Sequence, residues 1–464
     1  MDGDNSGVKR LCSPAMLDIK LLREQPDAIV ATLEQRKVRP FEDLPEEGWA
    51  AAAVERLRSL DEAYLAALKE EEQIRQRQNE NAAAMKGVGK LPKDEQGAAR
   101  APLIDEGREL RERAREVGEQ RDASMQARDA AWRMVPNLTH PDTPTGGEDQ
   151  SAELRRWGTP RDMKAEGFEP RDHLTVAESL DLVDFEAGAR VAGQKFYYLR
   201  NEAVLLDLAL QHYALSVAQR HGFTLHVTPD LARESVLDGL GFNPRGESSQ
   251  IYSVANSDLC LVGTAEITLG GMLADQILEA ERLPLKLAGL SHCFRTEAGS
   301  HGQESRGLYR VHQFTKVELF VFTEGDLEHS EAMHRNLLDI EEEVFQGLGL
   351  PYRVLDIASG DLGGPAYRKY DIEAWMPGRG DFGEVTSTSN CTDYQSRRLK
   401  IRYREPSEDG RKNKPRFVHM LNGTAVATSR ALVAILENYQ QADGSVRVPE
   451  VLVPWVGTDV IGPR

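Results

Sequence analysis

From Glu47 to about Val88 the chain runs without a proline, and Leu57, Leu60, Tyr64 and Leu68 fall at helical spacing. Past Ile74 the apolar stripe turns polar, and GVGKLPKDEQG reads as a turn. A second proline-poor segment follows from about Glu95 to Met134. In it Leu103, Leu110 and Val117 recur every seven residues with Ala114 between them, and Pro136 ends it. The spacing predicts two long helices in an antiparallel hairpin, about 47–134. Its stripe is thin, so most of its surface faces water. That suits a packing hairpin and an arm reaching for a partner equally well. Ahead of it, LDIKLLREQPDAIVATLEQRK reads as one leading helix.

NLTHPDTPTGGEDQ, residues 137–150, is rich in Pro, Thr and Gly and reads as a linker. The pattern then changes. Residues 174–187 suggest a short amphipathic helix, and KFYYL, from Lys195, a strand. Asn201–Arg220 reads as a strong helix with Leu205, Leu206, Leu210, Tyr213 and Val217 on its apolar side, stopped by Gly222. Short strands dominate thereafter: TLHV, IYSV, LPLKLAG, KVELFVF, YRVLDI, YDIEAW and FVHML. They are too polar for the near-continuous apolar strands of a parallel sheet. The expected class is α+β, a mostly antiparallel sheet flanked by helices.

The length of 464 residues allows one large core and a smaller appendage. The formal charge is −18, so any contact with RNA must be local. Residues 51–135 carry 16 Lys/Arg against 17 Asp/Glu, leaving the hairpin near neutral in an acidic chain. No apolar window approaches the ~18 residues of a membrane span. The first twenty residues lack the apolar run of a secretory signal and hold three aspartates, which points to the cytoplasm. Cys12, Cys260, Cys293 and Cys391 form no CxxC pair and no disulfide framework, so inert thiols and no structural zinc are expected.

Candidate chemistry starts at Phe294, with FRTEAGSHGQESRGLYRVHQFTKVELF. Two strand-like runs are joined by a loop rich in Gly, Ser and Arg. Arg295 and Glu297 are expected to share a face, as are Arg310, His312 and Phe314 on the returning strand. A guanidinium fork fits phosphate oxygens, and Phe314 offers a flat surface to a purine. A second arginine, Arg430, opens the helix that follows RFVHMLNGTAVAT. Two arginines at the edge of one sheet suggest a polyanion site. Each alone reads equally as a solvated hairpin or helix charge.

Together these segments resemble motifs 2 and 3 of the class II aminoacyl-tRNA synthetases. FRTE, RVHQF and KVE are similar to motif 2 of seryl-tRNA synthetases of bacterial and organellar type. The resemblance implies Arg295 on the ATP α-phosphate, Glu297 holding the adenylate and Phe314 stacked on adenine. Thr296, Val311, His312 and Gln313 complete the implied nucleotide site, and the loop Gly299–Arg310 approaches the tRNA acceptor end. GTAEI resembles the family's serine-recognition run, which implies that Thr264, Ala265 and Glu266 bind serine, together with Glu318. FGEVTSTSNCTDYQSRRLKIRY implies Glu384 against ATP and Mg²⁺, with Val385, Thr386 and Ser387 beside it and Ser387 as a further metal ligand. In LNGTAVATSR, Arg430 matches the γ-phosphate arginine, and Asn422 and Thr424 face serine. The family run more often reads Ser-Gly-Leu-Ala-Val-Gly-Arg, so Ala425 and Ser429 are departures. HVTPDLARESVLDGLGF, with Pro229, fills the place of the dimer motif.

The resemblance covers the chain from Met16. It implies an extension over 1–15, a tRNA-binding domain over 16–136, a linker over 137–150 and a class II catalytic domain over 151–464. It implies an ATP-dependent ligase that joins serine to tRNA(Ser), with tRNA(Sec) left open. A homodimer with ATP and Mg²⁺ as cofactors, and no membrane, is part of the same expectation. Catalysis falls to Arg295, Glu297 and Arg430. The alternative is a paralogue that keeps the fold, binds RNA and has lost the activity. Such a chain should lack the motif arginines or the serine carboxylates, and this one keeps them.

Overall fold

The computed structural model describes residues 17–242, 250–298, 307–406 and 413–463. The extension over 1–15 and most of the loop between the two motif 2 runs lie outside the described residues. The chain divides into two compact units at Pro136/Asn137.

The first unit opens with two helices, α1 (Lys20–Glu24) and α2 (Pro26–Arg36), where the sequence suggested one. Pro26 has no N–H to continue a helix but suits a first helical position, so the chain bends at Gln25 and starts again. Two long helices follow, α3 (Trp49–Val88) and α4 (Gln96–Trp132). At 1.5 Å per residue α3 is about 60 Å long. Ala53, Val54, Leu57 and Ala67 of α3 and Val117 of α4 are buried. Farther along, polar groups replace the stripe. Arg113 meets Glu70 at 2.5 Å, Arg121 meets Glu71 at 2.6 Å, and the Asn81 amide donates to the Leu103 carbonyl at 3.1 Å. At the root, buried Asp61 accepts two hydrogen bonds from Arg23 of α1 and lies 3.6 Å from Arg128 of α4.

The second unit is built on one eight-stranded sheet. Its strands are β1 (Ala152–Trp157), β2 (Thr224–Val227), β3 (Leu285–Phe294), β4 (Gln313–Thr323), β5 (Tyr352–Asp356), β6 (Arg368–Met376), β7 (Asp381–Asn390) and β8 (His419–Ala427). Their order is β1-β5-β6-β7-β8-β4-β3-β2. Every neighbouring pair is antiparallel except the edge pair β2/β3. One face is covered by α5 (Glu202–Arg220), α6 (Leu327–Gly347) and α7 (Thr428–Asn438). Leu206, Leu210, Val217, Leu337, Ile340 and Leu432 pack there with Ile372 and Leu421 of the sheet.

Several local expectations change. The helix expected over 174–187 is two, His173–Ser179 and Phe185–Ala192, each capped by an aspartate that accepts from a backbone N–H. KFYYL gives only a two-residue strand, and IYSV only an isolated bridge at Ser253. Leu205 lies on the outer side of α5 with Val204 and Leu208. The segment 137–150 is tied down, because the buried Asn137 side chain donates to the Pro365 and Cys391 carbonyls. No helix among the described residues is long and apolar enough to cross a membrane.

Candidate active site

The open face of the sheet carries two adjoining cavities, and two irregularities in strand pairing decide which side chains line them. Across β6 and β7, Asp371 pairs with Ser387 and Lys369 with Ser389, so these four share the open face. Ile372 pairs with Thr386, but Glu373 pairs with Glu384, leaving Val385 as one extra residue. Such a bulge re-aims what precedes it, and it returns Glu384 to the side of Ser387. Thr386 is turned toward α6, and its hydroxyl donates to the Thr424 carbonyl. In β8, Thr424 pairs with Glu318 and Val426 with Val317, so Ala425 is the extra residue. This keeps Thr424 and Ala427 facing the cavities alongside Glu318 and Lys316.

The first cavity, about 360 Å³, is lined by Arg295, Glu297, Tyr309, Phe314, Glu384 and Arg430, among others. Strand β3 ends at Phe294, so Arg295 lies just beyond it, and Glu297 has a left-handed backbone (φ 52°). The two therefore do not alternate along a strand as expected. The Arg295 guanidinium sits 5.3 Å from the Phe314 ring centre, a cation–π distance. Arg430, from the first turn of α7, meets Glu384 Oε1 at 3.0 Å and lies 5.0 Å from the Tyr309 ring centre. Burial alone would raise the Glu384 carboxyl. Arg430, Lys369 and Arg295 outweigh it and hold the group down at about 2.

The second cavity, about 400 Å³, holds Thr264, Glu266, Glu318, Asn422 and Thr424. Glu318 is 2 % exposed, and its Oε2 lies 2.5 Å from Lys316 Nζ and accepts from the Thr424 hydroxyl at 3.3 Å. Glu266 accepts from the Gln395 amide at 2.7 Å. Burial and the nearby Glu318 raise Glu266 to about 7, against the pull of Gln395, Lys316 and Asn422. Burial raises Glu318 too, opposed by Lys316. Two buried carboxyls beside one lysine form a pocket that favours a further cation.

Most residues expected at the site gather in these cavities, including Val311, Val385, Thr386 and Ser387. Four do not line them. Ala265 is fully buried, where a Cβ on Gly289 would come within 2.9 Å of its own. Gln313 faces a separate cavity with Phe196 and His292. The Thr296 hydroxyl accepts from Ala298 N–H. His312 precedes β4 and stacks on Phe196 at 5.2 Å, with Nδ1 2.7 Å from the Arg295 carbonyl. It holds the turn from behind.

The match to known proteins extends over 97 % of the chain. Residues 16–139 match the model of the seryl-tRNA synthetase N-terminal domain, and 252–439 that of the tRNA synthetase class II core domain (G, H, P, S and T). The serine–tRNA ligase of Rubrobacter xylanophilus is 51 % identical over 97 % of this chain and 99 % of its own. The chain belongs to the seryl-tRNA synthetase family. The ligase of Treponema denticola is 49 % identical over 96 % of this chain and its own full length. The crystal structure of seryl-tRNA synthetase from Pyrococcus horikoshii complexed with ATP superposes with a TM-score of 0.85, at 39 % identity, over 97 % of this chain and 100 % of that one.

Within this seryl-tRNA synthetase fold, sequence reasoning missed Lys316 and Lys369, which line both cavities, and Tyr309 beside Arg430. The two lysines alternate with the glutamate and aspartate of KVELF and KYDIE. That alternation was the available signal, because a charged i, i+2 pair on a central strand must face a polar cavity. Among the described residues no group of three His, Cys, Asp or Glu could hold a metal. Glu384 and Ser387 nevertheless fit Mg²⁺, which binds through one or two protein oxygens when phosphates supply others.

Proposed function

We propose that this chain activates serine with ATP and transfers it to tRNA(Ser), with tRNA(Sec) as a further candidate. One observation carries the reading. A cavity with arginines and an aromatic ring adjoins a cavity with buried carboxylates, and the two share Arg295, Lys316, Lys369, Ser387 and Thr424 as a common wall. A triphosphate fits the first and an amino-acid ammonium the second, so carboxylate and α-phosphate meet at that wall.

In the first step the serine carboxylate oxygen bonds to the α-phosphorus in line, and the bond to the bridging oxygen breaks. Pyrophosphate leaves with that electron pair. In the second step the terminal adenosine hydroxyl of tRNA attacks the acyl carbon, AMP leaves, and the hydroxyl proton is lost to solvent. No side chain needs to act as a nucleophile, so catalysis is positioning and charge stabilisation. Arg295 faces the α-phosphate and Arg430 the γ-phosphate. Phe314 stacks on adenine, and Glu297 helps hold the adenylate. Glu266, Glu318, Thr264, Asn422 and Thr424 orient serine. Glu384 and Ser387 would hold Mg²⁺, which supplies neutralising charge to the phosphates.

The helical pair α3/α4 is the tRNA-binding arm in this reading. Its support is a near-neutral, largely exposed surface on an acidic chain. The protein works as a homodimer in the cytoplasm. Support for the dimer is the outer side of α5, where Val204, Leu205 and Leu208 are 39–47 % exposed, next to edge strand β2 with Val227 83 % exposed. The decisive test is serine-dependent ATP–pyrophosphate exchange. Exchange with serine, and not with alanine or threonine, is expected. Its absence would leave the inactive paralogue as the reading.

A further inference from the structure

We propose that Lys369 binds the carboxylate of the amino-acid substrate and holds it against the α-phosphate. The proposal rests on the reading of the site as a serine-activating centre.

Activation brings two anions into bonding contact, so the seam between the cavities must supply positive charge. Three cations stand there: Arg295, Lys316 and Lys369. Lys316 is committed to the serine cavity. Its Nζ lies 2.5 Å from Glu318 and 3.4 Å from the Thr424 hydroxyl, so it holds the carboxylate that faces the ammonium. Arg295 lies over Phe314 of the first cavity, and its Nε donates to the Gly263 carbonyl at 3.4 Å, which sets it at the wall where the α-phosphate would lie. Lys369 enters from β6, a strand that carries none of the other cations. It pairs with Ser389, and its neighbour Asp371 pairs with Ser387. Its side chain is 19 % exposed, so its charge is little screened, and Nζ is 2.9 Å from Asp371 Oδ2. That bond uses one of three ammonium donors. Burial would lower the lysine, but Asp371 and Glu384 outweigh it and raise it, so the ammonium is charged throughout the working range. Serine is a zwitterion. With its ammonium on Glu266 and Glu318, its carboxylate points out of that pocket toward the seam.

The test compares serine with serinol, which keeps the ammonium and hydroxyl and lacks the carboxylate. Dissociation constants are measured by titration calorimetry without ATP, for the full chain and for Lys369→Met. The wild type should prefer serine. In K369M that preference should fall about 10–100-fold, the effect of one lost hydrogen bond between charged groups. Serinol binding and ATP binding should change less than about threefold. A lysine that only balances Asp371 would weaken serine and serinol alike. The double variant K369M/D371N removes both charges of the pair and should lose the same preference, which keeps the test valid if K369M folds poorly. An unchanged serine-over-serinol ratio in both variants overturns the assignment, as does a loss confined to ATP binding. If the wild type shows no serine-dependent exchange, the site reading itself falls and takes the proposal with it. If exchange is normal and the ratio unmoved, only the role of Lys369 falls.

Discussion

Serine affinity should depend on pH through Glu266, and the structure sets both sign and size. The free site holds Glu266 at about 7, raised by burial and by Glu318. A bound ammonium favours the carboxylate form, so serine binding lowers this pKa and expels a proton. Affinity is therefore complete above pH 7 and is lost as pH falls through it. For a group titrating at 7, the ionised fraction drops about tenfold between pH 8 and pH 6, so the KM for serine at saturating ATP should rise about tenfold. At pH 7, calorimetry in buffers of different ionisation enthalpy should find about half a proton released per serine bound. Glu384 stays ionised over this range, held at about 2. Burial also raises the Asp371 carboxyl, opposed by the Lys369 ammonium 2.9 Å away. Glu266→Gln separates the two groups. The variant should bind serine more weakly and show a flat KM profile from pH 6 to 8. A flat wild-type profile, proton uptake on binding, or a slope that survives in E266Q would refute the reasoning.

Other outcomes follow from the same geometry. Glu318→Gln should lower kcat/KM for serine by about 10²–10³-fold, because a charged hydrogen bond is lost and buried Lys316 loses its partner. Removing Trp49–Trp132 and joining the ends with a short linker should spare exchange and abolish tRNA charging in an aminoacylation assay. Light scattering should give about twice 51.7 kDa for the wild type, and Val204→Glu with Leu208→Glu should halve that mass. Gly423→Ala should lower stability by about 1–3 kcal/mol in urea unfolding, because its Cβ would sit 2.6 Å from Glu341 Oε1 beneath the sheet. Glu341→Ala in the same chain should recover part of that loss.

The hairpin was legible because it is a one-dimensional pattern. Leu57 and Val117 are buried at the spacing expected, and the helices end within three residues of the expected bounds. The antiparallel sheet was legible from the polarity of its strands, except for two of its eight members, β1 and β7, which were not read as strands. β1 is exposed at every position, so it carries no alternation to read. Pro26 hid a helix start inside what looked like one helix. Motif residues such as Arg295 and Arg430 came from resemblance, and nothing in their local pattern separated them from surface charges.

What pattern reading could not supply is the facing of residues around a bulge. Strict alternation puts Glu384 and Thr386 on one face and sets Ser387 opposite. The chain does otherwise, since Val385 is extra and Glu384 and Ser387 share the cavity face while the Thr386 hydroxyl ties β7 to β8 from behind. Ala425 does the same in β8 and keeps Ala427 on the cavity side, just before α7 begins and presents Arg430. A bulge is a property of two strands in register, so neither strand's own sequence contains it. The departures from the family run at motif 3 gain a physical meaning here. Ala425 is the bulge residue itself, 1 % exposed beneath the sheet. Ser429 lies in the first turn of α7 and borders the first cavity. Ala425 adds a methyl where the backbone already bends away from its partner, and Ser429 adds a hydroxyl where phosphate oxygens are expected. Both substitutions are therefore compatible with Arg430 reaching the first cavity, because neither lengthens the path from the bulge to the helix that carries it.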